Sequence, residues 1–78
     1  MVCPAFRCQL YSLTHPGKGP AVYRQLRSRC VGCNIYSMTP TRVRHGDCVL
    51  GNNYWFVGRR MWVDEGCSAT FKVWYKLT

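Results

Sequence analysis

The sequence predicts one small all-β domain over residues 1–78, a disulfide-stabilised antiparallel Greek-key sandwich or barrel. Three observations carry that expectation. Apolar residues recur with period two rather than 3.6, turn residues punctuate short apolar runs at regular intervals, and six cysteines are spread along 78 residues. A chain of this size buries only about 60% of its unfolded surface, and one such core rarely supplies more than about 3–5 kcal/mol. Cross-links are the usual remedy, each contributing about 2–4 kcal/mol by restricting the unfolded chain.

The first expected strand is Arg7–Leu13. It ends at His15-Pro16-Gly17-Lys18-Gly19-Pro20, where two prolines and two glycines stop any regular element and make a surface loop. Ala21–Arg27 follows as a strand; Arg24–Arg29 could form a turn of helix but is too short to stand alone. Asn34–Met38 and Thr41–His45 are separated by a Thr39-Pro40 turn, and Tyr54–Val57 and Met61–Asp64 by Val57-Gly58-Arg59. The clearest alternation is Ala69–Thr78. There Ala69, Phe71, Val73, Tyr75 and Leu77 point inward, while Thr70, Lys72, Trp74, Lys76 and Thr78 point outward, with Trp74 between two lysines.

Cys3, Cys8, Cys30, Cys33, Cys48 and Cys67 are even in number, and six cysteines admit about 15 pairings. Disulfides are the favoured use. The rival is a zinc ribbon in which Cys3-x4-Cys8 and Cys30-Val31-Gly32-Cys33 supply four thiolates, leaving Cys48 and Cys67 free. Met1-Val2-Cys3-Pro4 lacks the basic and apolar regions of an export signal and reads as a mature form with an added initiator Met. The longest uninterrupted apolar stretch, Tyr54–Val57, is far short of the roughly 20 residues that span a bilayer, and the length excludes a nucleotide-binding α/β enzyme.

Eleven Lys and Arg against three Asp and Glu give a formal charge of +8, so most cations have no acid to pair with. Most of the cations are arginine, whose planar fork suits phosphate, sulfate and carboxylate. Arg42 and Arg44 flank Val43 and project together from a strand. Arg59 and Arg60 cap a turn beside Trp62, and Arg24, Gln25, Leu26, Arg27 and Arg29 form a second cluster. Tyr36, Tyr54, Trp55 and Trp74 are the rings expected to be partly exposed, and exposed rings beside cations suit sugar stacking, base stacking or an interfacial contact. The expected ligand-binding set is Arg42, Arg44, Arg59, Arg60, Lys72, Trp74 and Lys76. Arginine clamps the anionic groups, lysine sets the local potential, and Trp74 stacks on a ring or wedges into an interface.

Enzyme chemistry is not expected. Asp64 and Glu65 would face opposite sides of a strand, and Asp64 is better used in capping the Glu65–Ser68 turn. His15 and His45 read as solvated loop histidines, although His45 precedes Cys48 by three residues. No serine elbow, phosphate loop or HExxH-type metal motif is present, and neither metal nor cofactor is expected.

Cys48-Val49-Leu50-Gly51 and the block from Trp62 to Phe71, Trp-Val-Asp-Glu-Gly-Cys-Ser-Ala-Thr-Phe, resemble a module of small exported bacterial and invertebrate proteins of largely unassigned function. The same block is similar, more distantly, to the Greek-key repeat of the βγ-crystallins. The resemblance covers roughly residues 30–75. Ser68 replaces the arginine usual in the family, and Trp74 stands where invertebrate members often have cysteine. It implies a Cys48–Cys67 bridge and a secreted all-β fold, and it carries over no catalytic or calcium site. The expected protein is therefore secreted, cationic and non-catalytic. Its partner would be an anionic surface or polymer: acidic or sulfated glycans, a microbial envelope or membrane, extracellular matrix or mineral, with an antimicrobial or defence role included. The alternative is an intracellular zinc-ribbon-like nucleic-acid-binding module that uses Cys3, Cys8, Cys30 and Cys33.

Overall fold

Residues 7–77 are described by the structure, a computed structural model. Six strands form within them: β1 (Cys8–Thr14), β2 (Val22–Gln25), β3 (Cys33–His45), β4 (Tyr54–Val57), β5 (Arg60–Val63) and β6 (Ser68–Leu77). They make two three-stranded antiparallel sheets, ordered β1-β6-β3 and β2-β5-β4. Of the two expected architectures, the sandwich is the one formed. The chain passes between sheets at every connection except the β4–β5 hairpin, where Gly58 (φ 61°) supplies the positive φ that primed two-residue turns need at their first position.

The expected alternation of β6 places it at the centre of its sheet. Ala69, Phe71 and Val73 are fully buried and Tyr75 nearly so, whereas Leu77 is exposed at the sheet's end. Met61 and Val63 of β5 and Tyr54 of β4 close the core from the other sheet, with the Tyr54 and Phe71 rings 4.9 Å apart at 55°. Tyr54 was expected to be partly exposed, but the inward parity of β4 buries it. Burial raises the pKa of its phenol from the ordinary 10.0, because the phenolate is poorly solvated there. The unfolded chain therefore ionises first. Stability from this group is whole below pH 10 and falls as pH rises beyond it. Tyr54→Phe is expected to lessen that alkaline loss, measured as the denaturant midpoint between about pH 8 and pH 11.

The sequence reading differs from the structure in two further places. Asn34–Met38 and Thr41–His45 are one strand, with Pro40 inside β3 opposite Phe71 instead of in a turn. β3 is an edge strand with register shifts between Ile35 and Ser37, Pro40 and Arg42, and Val43 and His45, and an irregular edge accommodates a residue that cannot donate to the ladder. The strand expected over Ala21–Arg27 forms as the shorter β2, and no helix forms among the described residues.

His15 is the second. It is 2% exposed, not solvated. Its Nδ1 accepts hydrogen bonds from the Gly17 amide (3.0 Å) and the Gly66 amide (2.9 Å), so the ring proton sits on Nε2, which faces the Pro20 carbonyl (3.0 Å) and Asp64 Oδ1 (3.4 Å). The imidazole thus ties the 15–20 loop to the turn between β5 and β6. Asp64 organises that turn as expected: its Oδ1 accepts from the Glu65 amide and its carbonyl from the Cys67 amide. The loop after β3 packs on the same turn so closely that a Cβ at Gly46 would lie 2.5 Å from the Gly66 carbonyl oxygen.

The Cys48–Cys67 bridge joins those two segments, with Cα atoms 5.2 Å apart and Cys67 fully buried. Cys30 and Cys33 are also bonded to each other, and Cys8 is disulfide-bonded. Their pairing takes Cys30 and Cys33 out of the zinc ribbon, which loses two of its four thiolates; Cys3 lies outside the described residues.

Candidate binding faces

No strand carries an Asp or Glu. Asp47, Asp64 and Glu65 all lie in loops or turns, so both outer sheet faces are free of strand carboxylates. On the β1-β6-β3 sheet, the central strand points Thr70, Lys72, Trp74 and Lys76 outward. β1 sets Ser12 and Leu10 opposite Thr70 and Lys72. β3 sets Arg42, Thr39 and Ser37 opposite Thr70, Lys72 and Trp74. Arg44 reaches across the edge and donates through Nη1 to Thr70 Oγ1 at 2.7 Å, and the Lys76 ammonium lies 4.7 Å from the centre of the exposed Tyr36 ring. Trp74 is half-buried. Together with Thr39, Pro40, Thr41 and Lys72 it lines a hollow of about 340 Å³. Five of the seven residues expected to bind a ligand therefore share this face: Arg42, Arg44, Lys72, Trp74 and Lys76.

Arg59 is separate and already engaged. Its guanidinium donates to the carbonyls of Cys30 (2.9 Å), Cys33 (3.0 Å), Ser28 (3.0 Å) and Leu26 (3.5 Å). That fan of acceptors makes it a clamp on the 26–33 segment, because all five guanidinium N–H groups point from one plane and a looped backbone can surround them.

Arg60 lies on the opposite side of the sandwich. Its guanidinium carbon is 5.6 Å from the centre of the Tyr23 ring, and the Tyr23 and Trp62 rings are tilted at 38° with their centres 5.6 Å apart. Trp55 is the register partner of Trp62 on the other side, so Tyr23, Trp62 and Trp55 run in a row across all three strands of the β2-β5-β4 sheet. Tyr23 is 56% and Trp55 40% exposed. Only Trp55 of this row was singled out for exposure by sequence. Strands of four residues are too short to show an alternation, and the row exists only through pairing between strands.

His45 is exposed at the end of β3, and the sulfur of Cys48, three residues further on, is consumed by its bridge.

No family model and no solved structure matches the chain. Over 42 residues, 53% of the chain, it is 48% identical to "Lectin ADEL" of Aplysia dactylomela, and that match spans 19% of the lectin's length.

Proposed function

We propose that this protein is an extracellular, non-catalytic carbohydrate-binding domain, and that the outer face of the β1-β6-β3 sheet takes acidic or sulfated glycans such as those of microbial envelopes or extracellular matrix. The observation that carries this reading is that Arg42, Arg44, Lys72 and Lys76 share one outward sheet face with Trp74, on strands that hold no carboxylate. The partial identity to a lectin supports the carbohydrate class, and the disulfides support an oxidising compartment. An indole offers a flat apolar surface to a pyranose ring, while the flanking cations meet its anionic substituents.

Isothermal titration with heparin tests it. Trp74→Ala is expected to weaken binding by about tenfold, equivalent to about 1.4 kcal/mol. Binding is expected to fall steeply with added salt, because exposed charges are screened within about 8 Å at physiological ionic strength. A second reading rests on the Tyr23–Trp62–Trp55 row, which suits a neutral glycan. Salt-independent binding of a neutral sugar, lost on Trp55→Ala and unchanged by Trp74→Ala, would move the site there.

A further inference from the structure

The open side of the sandwich, where the edge strands β1 and β2 lie next to one another, carries a feature that neither sheet face includes. A hollow of about 590 Å³ is lined by Arg7, Gln9, Arg27, Arg29 and Tyr75, among others. A second, of about 550 Å³, shares Gln9 and Arg27 with it and extends past Ser12 and Arg24. At the strand rise of roughly 3.3 Å per residue, the shared groove runs about 10 Å along β1 from Gln9 to Ser12.

Its wall is fixed in place. The Gln9 amide donates to the Arg27 carbonyl at 2.6 Å and to the Tyr75 hydroxyl at 3.3 Å, while the Tyr11 hydroxyl accepts from the Arg27 amide at 2.8 Å and donates to Gln9 Oε1. Both backbone groups of Arg27 are thus held by β1. The next residues are held from behind by the Arg59 clamp on Ser28 and Cys30 and by the Cys30–Cys33 bridge. The Arg27 and Arg29 side chains remain exposed, and no carboxylate pairs with either among the described residues. The carboxylates lie at the far end, beside the start of β6; from Ser68 to Tyr75 along that strand is about 23 Å.

We infer that this groove is a separate anion site for sulfate esters on a linear polysaccharide. Guanidinium groups lining one hollow suit a tetrahedral oxyanion, whose terminal oxygens are met from several directions, and the braced backbone leaves only the arginine side chains to be ordered on binding. Two contiguous hollows admit successive charged groups of one chain. Single-stranded nucleic acid is disfavoured because it needs exposed rings for base stacking, and among the described residues the ring lining the first hollow, Tyr75, is buried.

Amide NMR of the folded chain, titrated at low ionic strength with sodium sulfate, tests the site. Saturable shifts are expected at Gln9 and residues 27–30. They should be abolished by Arg27→Gln combined with Arg29→Gln and kept in Trp74→Ala, which separates this site from the glycan face proposed above. Neither arginine side chain makes a structural hydrogen bond among the described residues, so the double variant is expected to keep its thermal midpoint. Dextran sulfate is expected to shift the same amides at a concentration lower by about tenfold or more, through simultaneous engagement of both hollows, and unsulfated dextran not at all. Any of four results overturns the inference: no saturable sulfate shift, shifts spread over all basic residues, shifts surviving in the double variant, or tighter binding of an oligothymidylate than of dextran sulfate.

Discussion

Replacing His15 with alanine is expected to destabilise the fold by about 3 kcal/mol, combining loss of a buried ring with an orphaned buried amide. The ring is almost wholly enclosed, and Gly66, whose amide it accepts, is itself buried. Without Nδ1 that donor has no acceptor, and the 15–20 loop loses its tie to the turn at Asp64. For a domain of this length the fall in Tm is expected to be about 12–24 °C, read by thermal unfolding. His15→Asn retains an acceptor near the Nδ1 position but not the Nε2 donor, and should recover part of the loss. A Tm unchanged in the alanine variant would show that loop and turn are held by something other than the imidazole.

Removing the Cys48–Cys67 bridge by a double alanine substitution is expected to cost a similar amount, about 3 kcal/mol, on the loop-entropy account. The bridge spans 19 residues, including the whole β4–β5 hairpin, so its loss frees a long loop in the unfolded chain. The Cys30–Cys33 bridge spans three residues, and the same account assigns it less, about 2 kcal/mol. Denaturant unfolding of the two double variants measures the order directly. A larger loss from Cys30→Ala/Cys33→Ala would locate the stabilisation in native contacts of the 26–33 segment instead of the unfolded chain.

Sequence made the local periodicities plain and the long-range partners invisible. The parity of β6 was readable because ten residues alternate without a break, and it placed Lys72, Trp74 and Lys76 on one outward face. Pro40 was misread because its local signal is that of a turn; only the position of β3 at an edge lets a proline sit within a strand. His15 lies 51 residues from the amide it accepts, and Arg59 lies 26 to 33 residues from its four carbonyls. Nothing near either residue in the chain marks it as structural. Both look like surface polar groups in a turn, and folding turns one into a buried acceptor and the other into a clamp. The aromatic row was hidden for a related reason: Tyr23, Trp55 and Trp62 come from three different strands and meet only through pairing.

The separation of carboxylates from the Arg27–Arg29 wall gives the molecule an electric polarity along the direction of β6. In dilute salt such a dipole turns the protein during diffusion, so that an anionic surface is met by the arginine end first and the encounter is already oriented. At physiological ionic strength the screening length of about 8 Å is shorter than the roughly 23 Å between the two ends. The ends then act independently, and orientation is decided by contact, not approach.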